Sequence, residues 1–164
     1  MKKIAALASM LALVSAGALW AHQDKAQMDA MKAEFAKCMM CKDFLPVFDQ
    51  LMPVMQHEIV KLDNGMAMVC TVTDAQKVKL LHDVNAKMGA SAEAAMQLSD
   101  ADAQKQLCPM CQGIRSAAKA GAVVSSGPTK TGTLLVLTSN DPKVQTQISA
   151  LQQQCAAMMA ESSH

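Results

Sequence analysis

Aromatic side chains are almost missing from this 164-residue chain, which has no Tyr, one Trp and three Phe. Any core must therefore be filled by Ala, Leu, Val and Met, and an apolar content of 51% is ample for that, which excludes wholesale disorder. Net charge is nearly absent too. Fifteen basic residues face fourteen acidic ones, so the chain has no basic footprint for nucleic acid. Familiar catalytic constellations are also lacking: there is no G-x-S-x-G nucleophile elbow and no H-E-x-x-H pair. Gly127 to Gly132 has the opening spacing of a phosphate-binding loop, but Thr133 follows where Lys is required.

The one long apolar run lies at the start. Lys2 and Lys3 precede Ile4 to Val14, and Ser15-Ala16-Gly17-Ala18 supplies small residues. That order predicts a secretory signal peptide over residues 1–21, cleaved after Ala21 or after Ala18. The run is too short to span a bilayer, and no Cys stands at the cleavage zone for lipid attachment. Removal of residues 1–21 takes Lys2 and Lys3, leaving thirteen basic against fourteen acidic residues, a net charge of −1. The expected product is periplasmic or secreted and free of the membrane, in a compartment where disulfides persist.

The remainder reads as one unit written twice, over residues 22–90 and 91–164. In residues 24 to 45, Met28, Met31, Phe35, Cys38 and Leu45 recur at spacings that are mostly three and four, which predicts a helix. His57 to Leu62 and Met66 to Thr73 flank Asn64-Gly65, a strong hairpin signal. A two-residue turn there sets His57 opposite Val72, with Cys70 as diagonal neighbour. Asp74 is placed to cap a helix over Ala75 to Met88. In the second half, Ser99 and Asp102 resemble a capping box, and the helix they open is broken or kinked at Pro109. Ala122 to Val124 is a strand candidate, Gly127 to Gly132 is turn material, and Thr133 to Thr138 is a second strand. A last helix follows Asp141, with Val144, Ile148, Leu151 and Cys155 on one face. The expected fold is α+β: two α-β-β-α repeats sharing a four-stranded antiparallel sheet, with helices on at least one face.

Six cysteines carry the chemical signal, four of them as Cys38-x-x-Cys41 and Cys108-x-x-Cys111 at matching places in the two repeats. Thiolates select Cu(I) or Zn(II), and Met39, Met40 and Met110 inside the motifs add soft thioethers. If the repeats bring the motifs together, four sulfurs surround one ion. The function expected is binding of a soft metal ion, copper or zinc, by Cys38, Cys41, Cys108 and Cys111. Met39, Met40, Met110 and His22 are auxiliary candidates. A chain beginning at His22 offers an α-amine and imidazole together, a chelate suited to Cu(II). Two alternatives stay open. Cys108-Pro109-Met110-Cys111 has the form of a redox motif, with Cys108 attacking and Cys111 resolving, although helical sequence precedes it where a redox fold has a strand. The cysteines can instead staple an interaction module, with Cys70 and Cys155 as the best candidates because a CxxC bridge closes almost no loop. Covalent haem is disfavoured, since Lys42 and Gln112 stand where the attachment motif needs His.

Overall fold

Two stretches of period-two alternation, each folded at a polar turn, build the sheet. In the computed structural model, which describes residues 25–161, β1 (Met55–Leu62) and β2 (Gly65–Val72) form one hairpin. The other is β3 (Val123–Pro128) with β4 (Gly132–Thr138). The hairpins join through β2 and β4 in the antiparallel order β1-β2-β4-β3. The described residues also form six α-helices: α1 (Lys25–Lys37), α2 (Phe48–Leu51), α3 (Val78–Met96), α4 (Asp100–Gln106), α5 (Pro109–Lys119) and α6 (Pro142–Glu161). The fold is thus α+β, with one four-stranded antiparallel sheet among the described residues. The expected signal peptide, His22 and His164 lie outside the described residues.

The two hairpins keep one offset in number. Gly65 and Gly132 open β2 and β4, Met68 and Leu135 sit at their centres, and Asp74 and Asp141 cap the next helical turns, sixty-seven residues apart in each pair. In the β2–β4 ladder Gly65 faces Thr138, Thr71 faces Gly132, and Met68 faces Leu135. Equivalent residues meet at that last pair, so a local twofold axis passes there. Both glycines are dictated by close approach. A Cβ on Gly65 would lie 1.9 Å from the Leu137 carbonyl oxygen, and one on Gly132 1.8 Å from that of Cys70. The helices after the hairpins are capped alike: Asp74 accepts from the Gln76 amide at 2.9 Å and Asp141 from the Lys143 amide at 2.8 Å. Leu81 and Val84 on α3 match Ile148 and Leu151 on α6, and all four are buried.

Three local expectations are corrected. The first hairpin turns at Asp63-Asn64, one residue early, with Leu62 facing Gly65. His57 therefore faces Cys70 directly; the slip is two residues on the partner strand, so every side chain keeps its expected face. The first helix stops at Lys37, before the cysteines, because the Cys38 amide bonds back only three residues to the Phe35 carbonyl and the Met39 amide leaves the helix for the Gln106 carbonyl. Gly127 and Pro128 belong to β3, not to a turn; β3 is an edge strand, where a residue without an N–H is tolerated. The expected interruption at Pro109 is present, with Leu107 and Cys108 extended between α4 and α5.

All sheet residues that enter the core clusters come from one face. Ile59, Met66, Met68, Leu135 and Leu137 pack with Val144, Ile148, Leu151 and Cys155 of α6. Met55, Cys70 and Val72 pack with α3 and with Phe44, Phe48 and Leu51. The three phenylalanines of the chain gather here, each pair edge-to-face at centroid distances of 5.7–6.0 Å. Phe35 also packs against the cluster that holds Cys38, Cys41 and Cys111, and so links it to this core.

Candidate metal centre

Cys38 and Cys41 flank a tight turn at the end of α1. The Cys41 amide donates to the Cys38 carbonyl at 3.1 Å, and Cys41 then precedes a 3₁₀ turn over Lys42–Val47. Cys108 is the N-cap of α5, Pro109 occupies the first helical position, and Cys111 lies one turn in. These are two different backbone settings, so the motifs are not helical copies of each other. A backbone bond joins them: the Met39 amide donates to the Gln106 carbonyl at 2.8 Å, laying the first turn against the end of α4. Gln112 Nε2 donates to the Leu107 carbonyl at 2.7 Å and steadies the second motif from behind.

The outcome is a quartet. The Sγ atoms of Cys38, Cys41, Cys108 and Cys111 all lie within 4.8 Å of one another. Cys41 Sγ is 3.6 Å from Cys111 Sγ and 3.9 Å from Cys108 Sγ. A tetrahedral ion with metal–sulfur bonds of about 2.3 Å needs sulfur–sulfur edges of about 3.8 Å, so the donor set fits one ion. Phe35, Met39, Met40 and Leu98 pack around it. Cys38, Cys41 and Cys111 are buried, and Cys108 is partly exposed.

The thiols also set one another's charge. Contact with the Cys108 thiol, then with Cys111 and Cys41, holds Cys38 far below the usual thiol range despite its burial. Cys108 is lowered to about 7, chiefly by donation from Cys111. Cys41 and Cys111 are pushed up, each first by Cys108. A bound cation would replace the protons that these thiols hold and offset the charge of the thiolates that burial otherwise penalises.

The other sequence candidates are placed elsewhere. Met110 packs against the α5–α6 core, on a different cluster from the cysteines. Met39 and Met40 do border the quartet. All six cysteines are free thiols, and Cys70 and Cys155, the candidates of the alternative staple, sit in different clusters. His57 is exposed on β1. His82 lies at the edge of its helix's buried stripe, its Nε2 2.8 Å from the Gly132 carbonyl oxygen.

One supporting residue had no signature in the sequence. Arg115, 5% exposed, sends Nε to the Ala95 carbonyl at 3.0 Å, one terminal nitrogen to the Leu98 carbonyl, and the other to Asp100 at 2.9 Å. It pins the joint between α3 and α4, and α4 in turn carries the Gln106 carbonyl that holds Met39. Comparison with known protein families, with curated proteins and with solved structures finds no match to this chain.

Proposed function

We propose that this is an exported binding protein for a single thiophilic ion, zinc foremost, held by Cys38, Cys41, Cys108 and Cys111. The observation that carries the reading is the convergence of four cysteine sulfurs within 4.8 Å. Closed tetrahedral thiolate sites suit zinc. Cu(I) is the second ion that this donor set suits, with Met39 and Met40 bordering it as further soft donors. Export is inferred from residues 1–21, and it gives the ion a further role. Free thiols this close pair in an oxidising compartment, whereas metal-bound thiolates are protected.

Metal analysis beside thiol counting tests the reading on the mature chain, with Co(II) as a spectroscopic probe. One ion per chain and the visible bands of tetrahedral tetrathiolate Co(II) are expected. Fully oxidised thiols and no uptake after reduction would refute it. Mass mapping of the mature N-terminus checks export and decides whether His22 begins the chain. A thiol–disulfide oxidoreductase is the second reading, favoured by Cys108 at a helix N-terminus with its thiol lowered to about 7. Turnover in an insulin-reduction assay that needs both Cys108 and Cys111 would put it ahead.

A further inference from the structure

The four cysteines are unequal in access. Cys38 and Cys41 are 1% exposed and Cys111 is 2% exposed, whereas Cys108 alone reaches solvent in part. Their backbones differ in the same sense. Cys38 and Cys41 are fixed by the turn hydrogen bonds and by the Met39–Gln106 link, and Cys111 lies inside α5. Cys108 sits on the extended joint between α4 and α5, beside exposed Pro109. Of the four cysteines, Cys108 is thus the one open to an incoming ligand.

We propose that the ion is loaded and withdrawn by ligand exchange at Cys108, and that the acceptor is a molecule presenting a thiolate. This rests on the metal-binding function proposed above. In the withdrawal step a metal–sulfur bond forms to the incoming thiolate as the metal–Cys108 bond breaks. The proton of the incoming thiol passes to Cys108 Sγ, and neither metal nor sulfur changes oxidation state. Cys38, Cys41 and Cys111 keep their hold through this first exchange. Each is then displaced in the same way by a further acceptor thiol, whose proton passes to the freed cysteine sulfur, until the ion has left the chain. A thiolate fits the exchange because the displaced ligand is itself a thiolate, so the donor set and the charge around the ion stay the same through the step.

The experiment uses the zinc-loaded mature chain, with one ion per chain first established by native mass spectrometry. A limiting pulse of N-ethylmaleimide followed by peptide mapping is expected to modify Cys108 about tenfold or more faster than Cys38, Cys41 or Cys111. Zinc transfer to a chromogenic chelator is expected to rise in proportion to added dithiothreitol, the thiolate probe. Modification of a buried member of the quartet first, or release independent of thiol concentration, would overturn the exchange route alone. A chain that holds no ion after reduction would overturn the metal-binding function and this route together.

Discussion

Arg115→Met removes three hydrogen bonds and keeps most of the apolar stem, so it isolates the contribution of the guanidinium. The Ala95 carbonyl retains the amides of Gln97 and Leu98, but the Leu98 carbonyl has Arg115 as its donor. Each bond from a charged donor to a carbonyl contributes about 1.5–3 kcal/mol, so the two together are worth about 3–6 kcal/mol. The contact with Asp100 adds little, because that carboxylate stands in solvent and is shared with Lys119. Urea unfolding of the metal-free, reduced protein measures the loss. A fall in midpoint at constant slope is expected, with Arg115→Lys recovering only part, since an ammonium cannot reproduce the planar fork. The same variant is expected to weaken zinc binding about 10–100-fold, because the joint it pins carries the α4 carbonyl that holds the first cysteine turn. A loss below about 1 kcal/mol with unchanged zinc affinity would refute the assignment of Arg115 as the clamp of this joint.

Three further outcomes are expected. Cys41→Ser removes one of four thiolates, about a quarter of a structural zinc site's binding free energy, and should weaken zinc by about a hundredfold or more in chelator competition. Gly132→Ala drives a methyl into the Cys70 carbonyl and should cost about 2 kcal/mol or more in thermal unfolding, whereas Gly127→Ala meets open space and should change stability by less than about 1 kcal/mol. Burial pushes the Cys70 thiol up to about 11 from its ordinary 9.0, so unfolding releases a proton between these values. The Cys70 contribution is therefore lost as pH rises from 9 towards 11, and over that range the metal-free protein should lose more stability than its Cys70→Ala variant does.

The hairpins and the α6 face were legible in the sequence because they depend on local period and turn chemistry. Val144, Ile148, Leu151 and Cys155 are all buried as their spacing requires. The meeting of the two cysteine motifs was legible for another reason: both precede a hairpin, and the hairpins join. The misread details answer to distant demands. Asn64-Gly65 satisfies a hairpin rule locally, yet Gly65 is a glycine because β4 presses on its backbone. The spacing from Met28 through Leu45 continues past Cys38, but the helix ends there, and a bond from Met39 to Gln106 holds the turn at its end. Arg115 was invisible because a single basic residue on a helix normally points to water, and only the joint between α3 and α4 gives it carbonyls to hold.

The central ladder sets an order of assembly. Each hairpin closes over a two- or three-residue turn and can form within microseconds, but β2 finds β4 only across the whole intervening chain, from Gly65 to Thr138 at the widest pair. A chain emerging N-terminus first therefore presents Cys38 and Cys41 well before Cys108 and Cys111 exist to meet them. During that interval the first pair is a bare dithiol, open to premature oxidation or to a competing ion. Oxidant present during synthesis should thus damage the site far more than the same oxidant applied to the finished, loaded protein.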